Sequence, residues 1–394
     1  MDVGSEGLSM KQLQIINAVD GDRTIDFLRK LIRTRSITGE EKEITEVVAR
    51  QMENTGLSTE IIGVNVVGKM QGVGRGPTLI LNAHLDTVPV GRTESWSVDP
   101  FCADVKNGRI YGRGACDDKG GLAAMIMAID TLTKANIELN GNLIMTAVTE
   151  EAGPDRGISE LVGEGMILGD AAIVGEPTSL NIHIGHRTSA TIEIVVKGKT
   201  AHASTPERGV NAIVKMAKII MALDEMRFGV DPVLGKGTLN VGVITGGIRT
   251  GVVPDLCKIE INRRLIRGET ERSVKDQIDK VLSRLREEDP EIQGEAEITF
   301  FVPPYLISEN EPIIDYLRRS TKLVTNTEPQ VSVQKFATDA AHIHRLTKIP
   351  AVIFGPGEEK AAHAPNESIE IEQVVNATKI YALTIMDFLG QVLH

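Results

Sequence analysis

Three short apolar segments of the chain each end in side chains that can bind a metal ion. The segment TLILNAH ends at His84, NLIMTAVTEE ends at Glu150 and Glu151, and DAAIVGEP ends near Glu176. Helical patterns separate these segments along the chain. Short, continuously apolar strands that alternate with helices are typical of a mostly parallel sheet covered by helices on both faces. We therefore predict an α/β domain built on such a sheet.

A second pattern begins near residue 185. The segment RTSATIEIVVKG alternates between apolar and polar residues and places Ile192 and Ile194 on one face of a half-exposed strand. Further helical and strand patterns follow in the order β-α-β-β-α-β, which is that of a ferredoxin-like sandwich. We predict an inserted module at 185–301 within a larger α/β domain formed by 1–184 and 302–394.

One helix start has a recognisable sequence signature. Thr38 and Glu41 have the spacing of a capping box, in which the two side chains bond to the first turn of the helix. Ile44, Val48 and Met52 follow at helical spacing. We expect Thr38 to cap this helix.

The composition excludes several classes of function. The chain has 394 residues and a net charge of −11, which argues for two domains and against a nucleic-acid partner. No apolar run approaches the roughly 18 residues of a membrane span, and the N-terminal residues lack the features of a signal peptide. The three cysteines are too few and too scattered for a disulfide framework. These features predict a cytoplasmic protein without membrane or nucleic-acid partners.

The candidate metal ligands share one topological position. In open parallel sheets the functional crevice lies at the carboxyl ends of the strands. A charged residue that leaves a buried strand usually just meets solvent, but five such positions on one rim predict a metal site. The candidates are His84, Asp117, Glu150 or Glu151, Glu176 and His363.

The segment GRGACDDKGG contains Asp117 and precedes an apolar helix. A phosphate-binding loop would need the order G-x-x-x-x-G-K-[ST], and neither half of that motif is present. Two acidic residues would also repel a phosphate, so a cation site with Asp117 as ligand is favoured over a nucleotide site. We expect Asp118 and Lys119 mainly to shape and neutralise the turn.

Two neighbouring pairs of residues suggest how such a site would work. Residues two apart in an extended strand point the same way, so Asp86 can accept the second N–H of a metal-bound His84. Glu150 and Glu151 diverge, so one can bind metal while the other acts as a general base. Each pair could instead be a solvated turn.

The donor set also indicates the metal. Imidazole with carboxylate suits zinc, with cobalt or manganese as alternatives, rather than calcium. Two divalent ions would be balanced by three carboxylates and one hydroxide, which predicts a two-metal hydrolytic centre.

The motifs HLDTVP, GRGACDDKGG, TEEAG, GEPT and GPGEEKAAHAPNE occur in this order over about residues 20–390. In this they resemble the co-catalytic zinc hydrolases of the acetylornithine deacetylase, succinyl-diaminopimelate desuccinylase, aminoacylase and glutamate carboxypeptidase group. The resemblance implies two divalent ions per subunit, a cis peptide after the bridging aspartate, and a lid or dimerisation role for the inserted module. It also implies a homodimer through that module.

The resemblance assigns a role to each candidate residue. Asp117 would bridge the two ions, and Glu150 would be the general base. His84 and Glu176 would complete one metal site, and Glu151 and His363 the other. The lid residue His202 would stabilise the oxyanion from the neighbouring subunit, Arg264 would bind the substrate carboxylate, and Asp86 would orient His84.

Two positions depart from the pattern of this group. Gly251 stands where the group often has asparagine, and Arg267 stands where it often has proline. Both departures concern the identity of the substrate rather than the metal chemistry.

These observations predict a metallohydrolase that cleaves the amide bond of an N-acyl amino acid with a water activated by Glu150. A dipeptidase or carboxypeptidase on the same two-metal site is the alternative within enzymes. A metal-dependent binding protein without catalysis is the alternative from another class. It would be favoured if the base or a ligand were missing, and neither is missing.

Overall fold

The computed structural model describes residues 8–149 and 156–390, so the predicted base and ligand Glu150 and Glu151 lie outside the described residues. The described chain forms two compact units. The first contains the residues up to Gly185 together with Leu306–Gln334 and the segment from Thr338 onwards, and the second contains His186–Tyr305 and Lys335–Ala337. The role of the second unit as a lid or dimerisation domain stays a prediction.

The helices of the described chain are α1 (Met10–Ala18), α2 (Gly21–Arg33), α3 (Lys42–Asn54), α4 (Lys119–Lys134), α5 (Arg156–Gly163), α6 (Ala212–Asp224), α7 (Glu271–Glu288), α8 (Pro312–Thr325), α9 (Asp339–Thr347) and α10 (Ile371–Leu389). Short 3-10 turns lie at Thr93–Ser95, Pro206–Arg208 and Glu359–Ala361.

The strands are β1 (Ser58–Ile62), β2 (Asn65–Met70), β3 (Thr78–His84), β4 (Asp104–Lys106), β5 (Arg109–Tyr111), β6 (Asn142–Val148), β7 (Ala171–Val174), β8 (Ile182–His186), β9 (Ser189–Lys197), β10 (Val230–Asp231), β11 (Gly235–Lys236), β12 (Thr238–Gly246), β13 (Leu256–Arg264), β14 (Gln293–Phe301), β15 (Tyr305–Leu306), β16 (Val331–Gln334), β17 (Ala351–Ile353) and β18 (Ser368–Glu370).

The large sheet has the strand order β1-β2-β6-β3-β7-β17-β8-β15, with β16 also paired to β8. Its central strands β6, β3, β7 and β17 are parallel to one another, whereas β1, β2 and β8 pair in antiparallel fashion. Strands β3, β6 and β7 are buried along almost their whole length, as expected for parallel strands covered on both faces. The predicted α/β class with a mostly parallel central sheet is confirmed.

Helix α4 lies in the core of the first unit. Its residues from Lys119 to Leu132 are all buried, and it packs against α10 and α2. This burial explains why the sequence of α4 is apolar on nearly every face. The start of α4 is thereby fixed next to the carboxyl ends of the central strands.

The second unit contains a four-stranded sheet in the order β12-β13-β9-β14, with antiparallel pairing of neighbouring strands. Its elements follow the chain order β9-α6-β12-β13-α7-β14, apart from the short β10–β11 hairpin. Ile192 and Ile194 point into a core with Ile259, Met216 and Ile278, because alternate residues of β9 share one face. The opposite face of β9 is partly exposed.

The predicted capping box at Thr38 is wrong. Helix α3 begins at Lys42 with Glu41 at the N-cap, and no side chain caps it. The hydroxyl of Thr38 instead donates to the carboxylate of Asp86 at 2.8 Å. The Thr38 hydroxyl is therefore bonded to a distant carboxylate rather than to the N–H group of the first helical turn that the spacing suggested.

Within the described residues, none of the helices combines the length and the apolar character that crossing a membrane requires.

Candidate metal centre

The central strands bring several of the predicted ligands to one edge of the large sheet. His84 is the last residue of β3, and Glu176 follows the end of β7 by two residues. Asp117 lies in the turn before α4, and His363 lies between β17 and β18. Because β3, β7 and β17 are parallel, the segments that follow them leave the sheet at the same edge.

Asp117 lies between two histidines. Its Oδ1 is 3.1 Å from Nε2 of His84, and its Oδ2 is 3.0 Å from Nε2 of His363. Ligand atoms of His84, Asp117 and Glu176 all lie within 4.8 Å of one another, and these three residues are buried. The side chain of His363 is 59% exposed. One oxygen of Asp117 therefore faces the buried possible ligands His84 and Glu176, and the other faces the more exposed His363.

The charges of this cluster depend on one another. Burial favours the neutral form of Asp117, but hydrogen bonds to His363 and His84 outweigh it and hold the pKa of this carboxyl well below its usual range. Burial lowers the pKa of His84, but the bonds to Asp117 and Asp86 raise it well above its ordinary value. The bond to Asp117 also raises the pKa of His363. The site thus favours positive charge beside Asp117, which a divalent cation can supply.

The orientation of His84 suits a metal ligand. Its Nδ1 lies 2.8 Å from the main-chain oxygen of Asp86, which can only accept, so Nδ1 carries a hydrogen and neutral His84 has its lone pair on Nε2. The carboxylate of Asp86 is farther away, with Oδ1 at 3.6 Å from Nδ1. Asp86 was predicted to orient His84 through its carboxylate, whereas the shorter contact is to its carbonyl. The carboxylate also accepts the Thr38 hydroxyl.

The turn before α4 contains a cis peptide bond between Asp117 and Asp118. Two side chains that the sequence analysis did not single out contact this turn. Glu367 accepts hydrogen bonds from the backbone N–H groups of Cys116 and Asp117, and Arg113 forms a 2.6 Å ion pair with Glu367. Both lie within the quoted motifs, but the fold alone brings them together.

Lys119 and Asp118 do not form an ion pair with each other in the described part of the chain. The buried Lys119 ammonium donates to the main-chain oxygen of Thr34 at 2.9 Å, and burial lowers its pKa to about 7. Burial raises the pKa of Asp118 well above its usual value. The expectation that these residues shape the turn remains, but burial rather than pairing reduces their charges.

The remaining predicted residues lie elsewhere. His202 and Arg264 belong to the second unit. His202 is exposed, and its Nδ1 accepts a hydrogen bond from the backbone N–H of Ser204, so its neutral form carries the hydrogen on Nε2. Arg264 ends β13 on the half-buried face that includes Lys258 and Glu260. Among the described residues its side chain has no ion-pair partner, whereas Lys258 pairs with Glu193.

The two departures noted in the sequence also lie in the second unit. The carbonyl of Gly251 accepts a hydrogen bond from the N–H of Ala203, next to His202. Arg267 forms a 2.5 Å ion pair with the buried Asp231. Arginine at this position therefore has a structural role within the unit.

Comparison with known proteins places the chain in a family. The model of Peptidase family M20/M25/M40 matches residues 80–387. The N-formyl-4-amino-5-aminomethyl-2-methylpyrimidine deformylase of Bacillus subtilis (strain 168) is 32% identical over 360 residues, 82% of each chain. The succinyl-diaminopimelate desuccinylase of Caulobacter sp. (strain K31) is 30% identical over 389 residues, 92% of this chain and 95% of that one.

A solved structure supports the fold. The M20 family metallo-carboxypeptidase Sso-CP2 from Sulfolobus solfataricus superposes with a TM-score of 0.81 at 23% identity, over 92% of this chain and 98% of that one. The family match spans His84 at the end of β3, the turn before α4, Glu176 after β7 and the segment of His363. It confirms the resemblance that the ordered motifs indicated. The chain belongs to Peptidase family M20/M25/M40 and is a metal-dependent hydrolase that acts on amide bonds.

Proposed function

We propose that this hydrolase releases an amino acid from an N-acyl amino acid at a centre of two divalent ions. The observation that carries the proposal is the position of Asp117, whose two carboxylate oxygens face His84 and His363 separately. A carboxylate so placed suits a bridge between two ions. The relatives named as a deformylase and a desuccinylase support removal of an acyl group from an amine.

The proposed ligands divide into two sets that share Asp117. His84 and Glu176 complete the first site, and Glu151 and His363 complete the second. Imidazole and carboxylate donors favour zinc, with cobalt or manganese as alternatives. When bound, such ions polarise the substrate carbonyl and lower the pKa of water.

The other proposed residues act on the proton and on the substrate. Glu150 takes the proton of the attacking water and then gives it to the leaving amine. His202 donates its Nε2–H to the developing oxyanion from the neighbouring subunit, which agrees with the tautomer set by Ser204. Arg264 binds the α-carboxylate, and its lack of an ion-pair partner among the described residues supports this role. Asp86 and Thr38 hold His84.

We further propose a homodimer formed through the second unit. Strand β12 is one of the two edge strands of the four-stranded sheet and is mostly exposed. Its Val243 and Ile244 are 48% and 55% exposed, and Ile248 just beyond it is 85% exposed. An exposed edge strand with apolar side chains is a favourable site for pairing with another chain. Cys102, Cys116 and Cys257 are free thiols, which agrees with the cytoplasmic location that we propose.

The deciding experiment is a hydrolysis screen of N-acetyl and N-succinyl amino acids together with dipeptides, with added Zn(II) or Co(II). Preferential release of amino acids from the N-acyl compounds supports the proposal. Preferential cleavage of dipeptides favours the dipeptidase or carboxypeptidase alternative on the same site. Metal binding without hydrolysis of any of these compounds favours a binding protein.

A further inference from the structure

A single buried carboxylate holds the backbone that leads into Asp117. Oε1 of Glu367 accepts hydrogen bonds from the N–H groups of Cys116 at 2.9 Å and Asp117 at 3.1 Å. The side chain of Glu367 is 1% exposed. The position of the Asp117 main chain is therefore fixed relative to the start of β18, which follows Glu367 directly.

Arg113 connects Glu367 to the segment of His363. Its Nη1 lies 2.6 Å from Oε2 of Glu367, and its Nη2 donates to the main-chain oxygens of His363 at 3.3 Å and Pro89 at 3.4 Å. The guanidinium carbon lies 5.2 Å from the centre of the Trp96 ring. A planar guanidinium held at several points in this way has one orientation.

We propose that Arg113 and Glu367 are positioning residues that set the distance between the Asp117 carboxylate and the His363 imidazole. The pair bonds to the main chain of both residues, one on each side of the second proposed metal site. The inference rests on the proposed two-metal centre and adds the residues that hold Asp117 and His363, two ligands of its second site, in position.

The two histidines differ in how much else orients them. His84 ends a buried strand, and Asp86 fixes its Nδ1. His363 lies in a loop with a φ of 62°, and its side chain is 59% exposed. Loss of the Arg113 contact should therefore weaken the site of His363 more than the site of His84.

The test is a calorimetric titration of the metal-free full-length protein with Co(II), together with the visible spectrum of bound Co(II). Arg113→Lys keeps a positive charge beside Glu367 but lacks the second donor to His363. We expect it to weaken one of the two binding events, that of the site of His363, by roughly 10- to 100-fold, which is the usual effect of removing a group that bonds to a metal ligand, and to leave the other event unchanged. The spectral change of the weakened event should shift to higher Co(II) concentration.

Glu367→Gln is the second variant, because it keeps an acceptor for the two N–H groups but removes the charge that holds Arg113. The matched control is Glu370→Gln. It breaks the 2.7 Å ion pair between Arg109 and Glu370, which joins β5 to β18 close to the Arg113–Glu367 pair but, within the described residues, bonds to neither Asp117 nor His363. Thermal melting of each metal-free variant checks its folding. If a single variant unfolds, the double variant Arg113→Met/Glu367→Leu replaces it, since removing both charges leaves none unpaired.

A folded Arg113→Lys variant with two unchanged binding events would overturn the inference. Equal weakening of both events would overturn it as well, because the pair would then support the whole fold rather than one site. If the wild-type protein binds only one ion, that result rejects the proposed two-metal centre itself rather than the role of Arg113 and Glu367.

Discussion

The carboxylate of Asp117 lies within 3.0 Å of His363 through one oxygen and within 3.1 Å of His84 through the other. Asp118, the next residue, is fully buried and contacts neither imidazole through a hydrogen bond of its side chain. Adjacent residues of the same type therefore have different surroundings, so their substitution should have different effects on metal binding.

Asp117→Asn should lose metal because it removes the shared anionic ligand of both proposed sites. We expect activity to fall by more than the roughly 10- to 100-fold that is lost when a group hydrogen-bonded to a metal ligand is removed. Asp118→Asn should lose much less metal, since burial already raises the pKa of Asp118 and so favours its neutral form. Elemental analysis of the purified variants measures the difference. Equal metal loss in both variants would contradict a special role for Asp117.

Glu150→Ala should keep its metal and lose hydrolysis, because the proposed base is not a ligand. A positioned base typically contributes about 10²- to 10⁴-fold to a rate, so we expect a loss of that size in kcat. Glu151→Ala is the matched comparison, since it should lose metal from one site. Normal amide hydrolysis by Glu150→Ala would exclude the proposed mechanism.

Arg264→Ala should raise KM for N-acyl amino acids by removing the partner of the α-carboxylate. A charge-assisted hydrogen bond contributes about 1.5 to 3 kcal/mol, which corresponds to roughly 10- to 100-fold. N-acyl amines that lack the carboxylate should be unaffected by the change. Lys258→Ala on the same face of β13 is the control, because Lys258 already pairs with Glu193. An equal rise in KM for both substrate classes would argue against carboxylate binding.

Asp231→Asn should destabilise the protein in a pH-dependent way. Burial tends to raise the pKa of Asp231, but hydrogen bonds from Arg267 and from two backbone N–H groups lower it to about 2. A carboxyl with a lowered pKa contributes stability above its unfolded pKa of about 3.9, and this contribution disappears as the pH falls toward 2. The difference in Tm between wild type and variant should therefore be largest near pH 7 and shrink below about pH 4. A difference that grows as the pH falls would contradict the assignment.

Ile244→Lys should convert the proposed dimer into a monomer, because it places a charge on the exposed edge strand β12. Sedimentation velocity measures the change, and activity should fall with it if His202 acts on the neighbouring subunit. Leu168→Lys is the control, since Leu168 is also exposed but lies in the first unit. A fully active wild-type monomer would remove His202 from its proposed role.

The sequence predicted the large features of the fold because they depend on local patterns. Continuous apolar strands and a helix buried on all faces indicated the parallel sheet, and this placed His84 and Glu176 at its edge. The alternation at Ile192 and Ile194 likewise indicated the four-stranded sheet of the second unit.

The contacts around the centre could not be predicted in the same way. Arg113 and Glu367 are far apart in the chain, and no local pattern joins an arginine in the turn before α4 to a glutamate four residues after His363. Thr38 had the spacing of a helix cap, yet the nearby carboxylate of Asp86 accepts its hydroxyl. In both cases the bonding partner is set by contacts between distant parts of the chain, which no local sequence pattern indicates.

The position of the second unit in the chain has a consequence for synthesis of the protein. The proposed ligands up to Glu176 precede this unit, whereas His363 follows it. A ribosome must therefore complete the whole inserted unit before the second proposed metal site can close. A nascent chain that stops before His363 has every proposed ligand of the first site but lacks one ligand of the second, so uptake of a second ion would mark a chain that extends past His363.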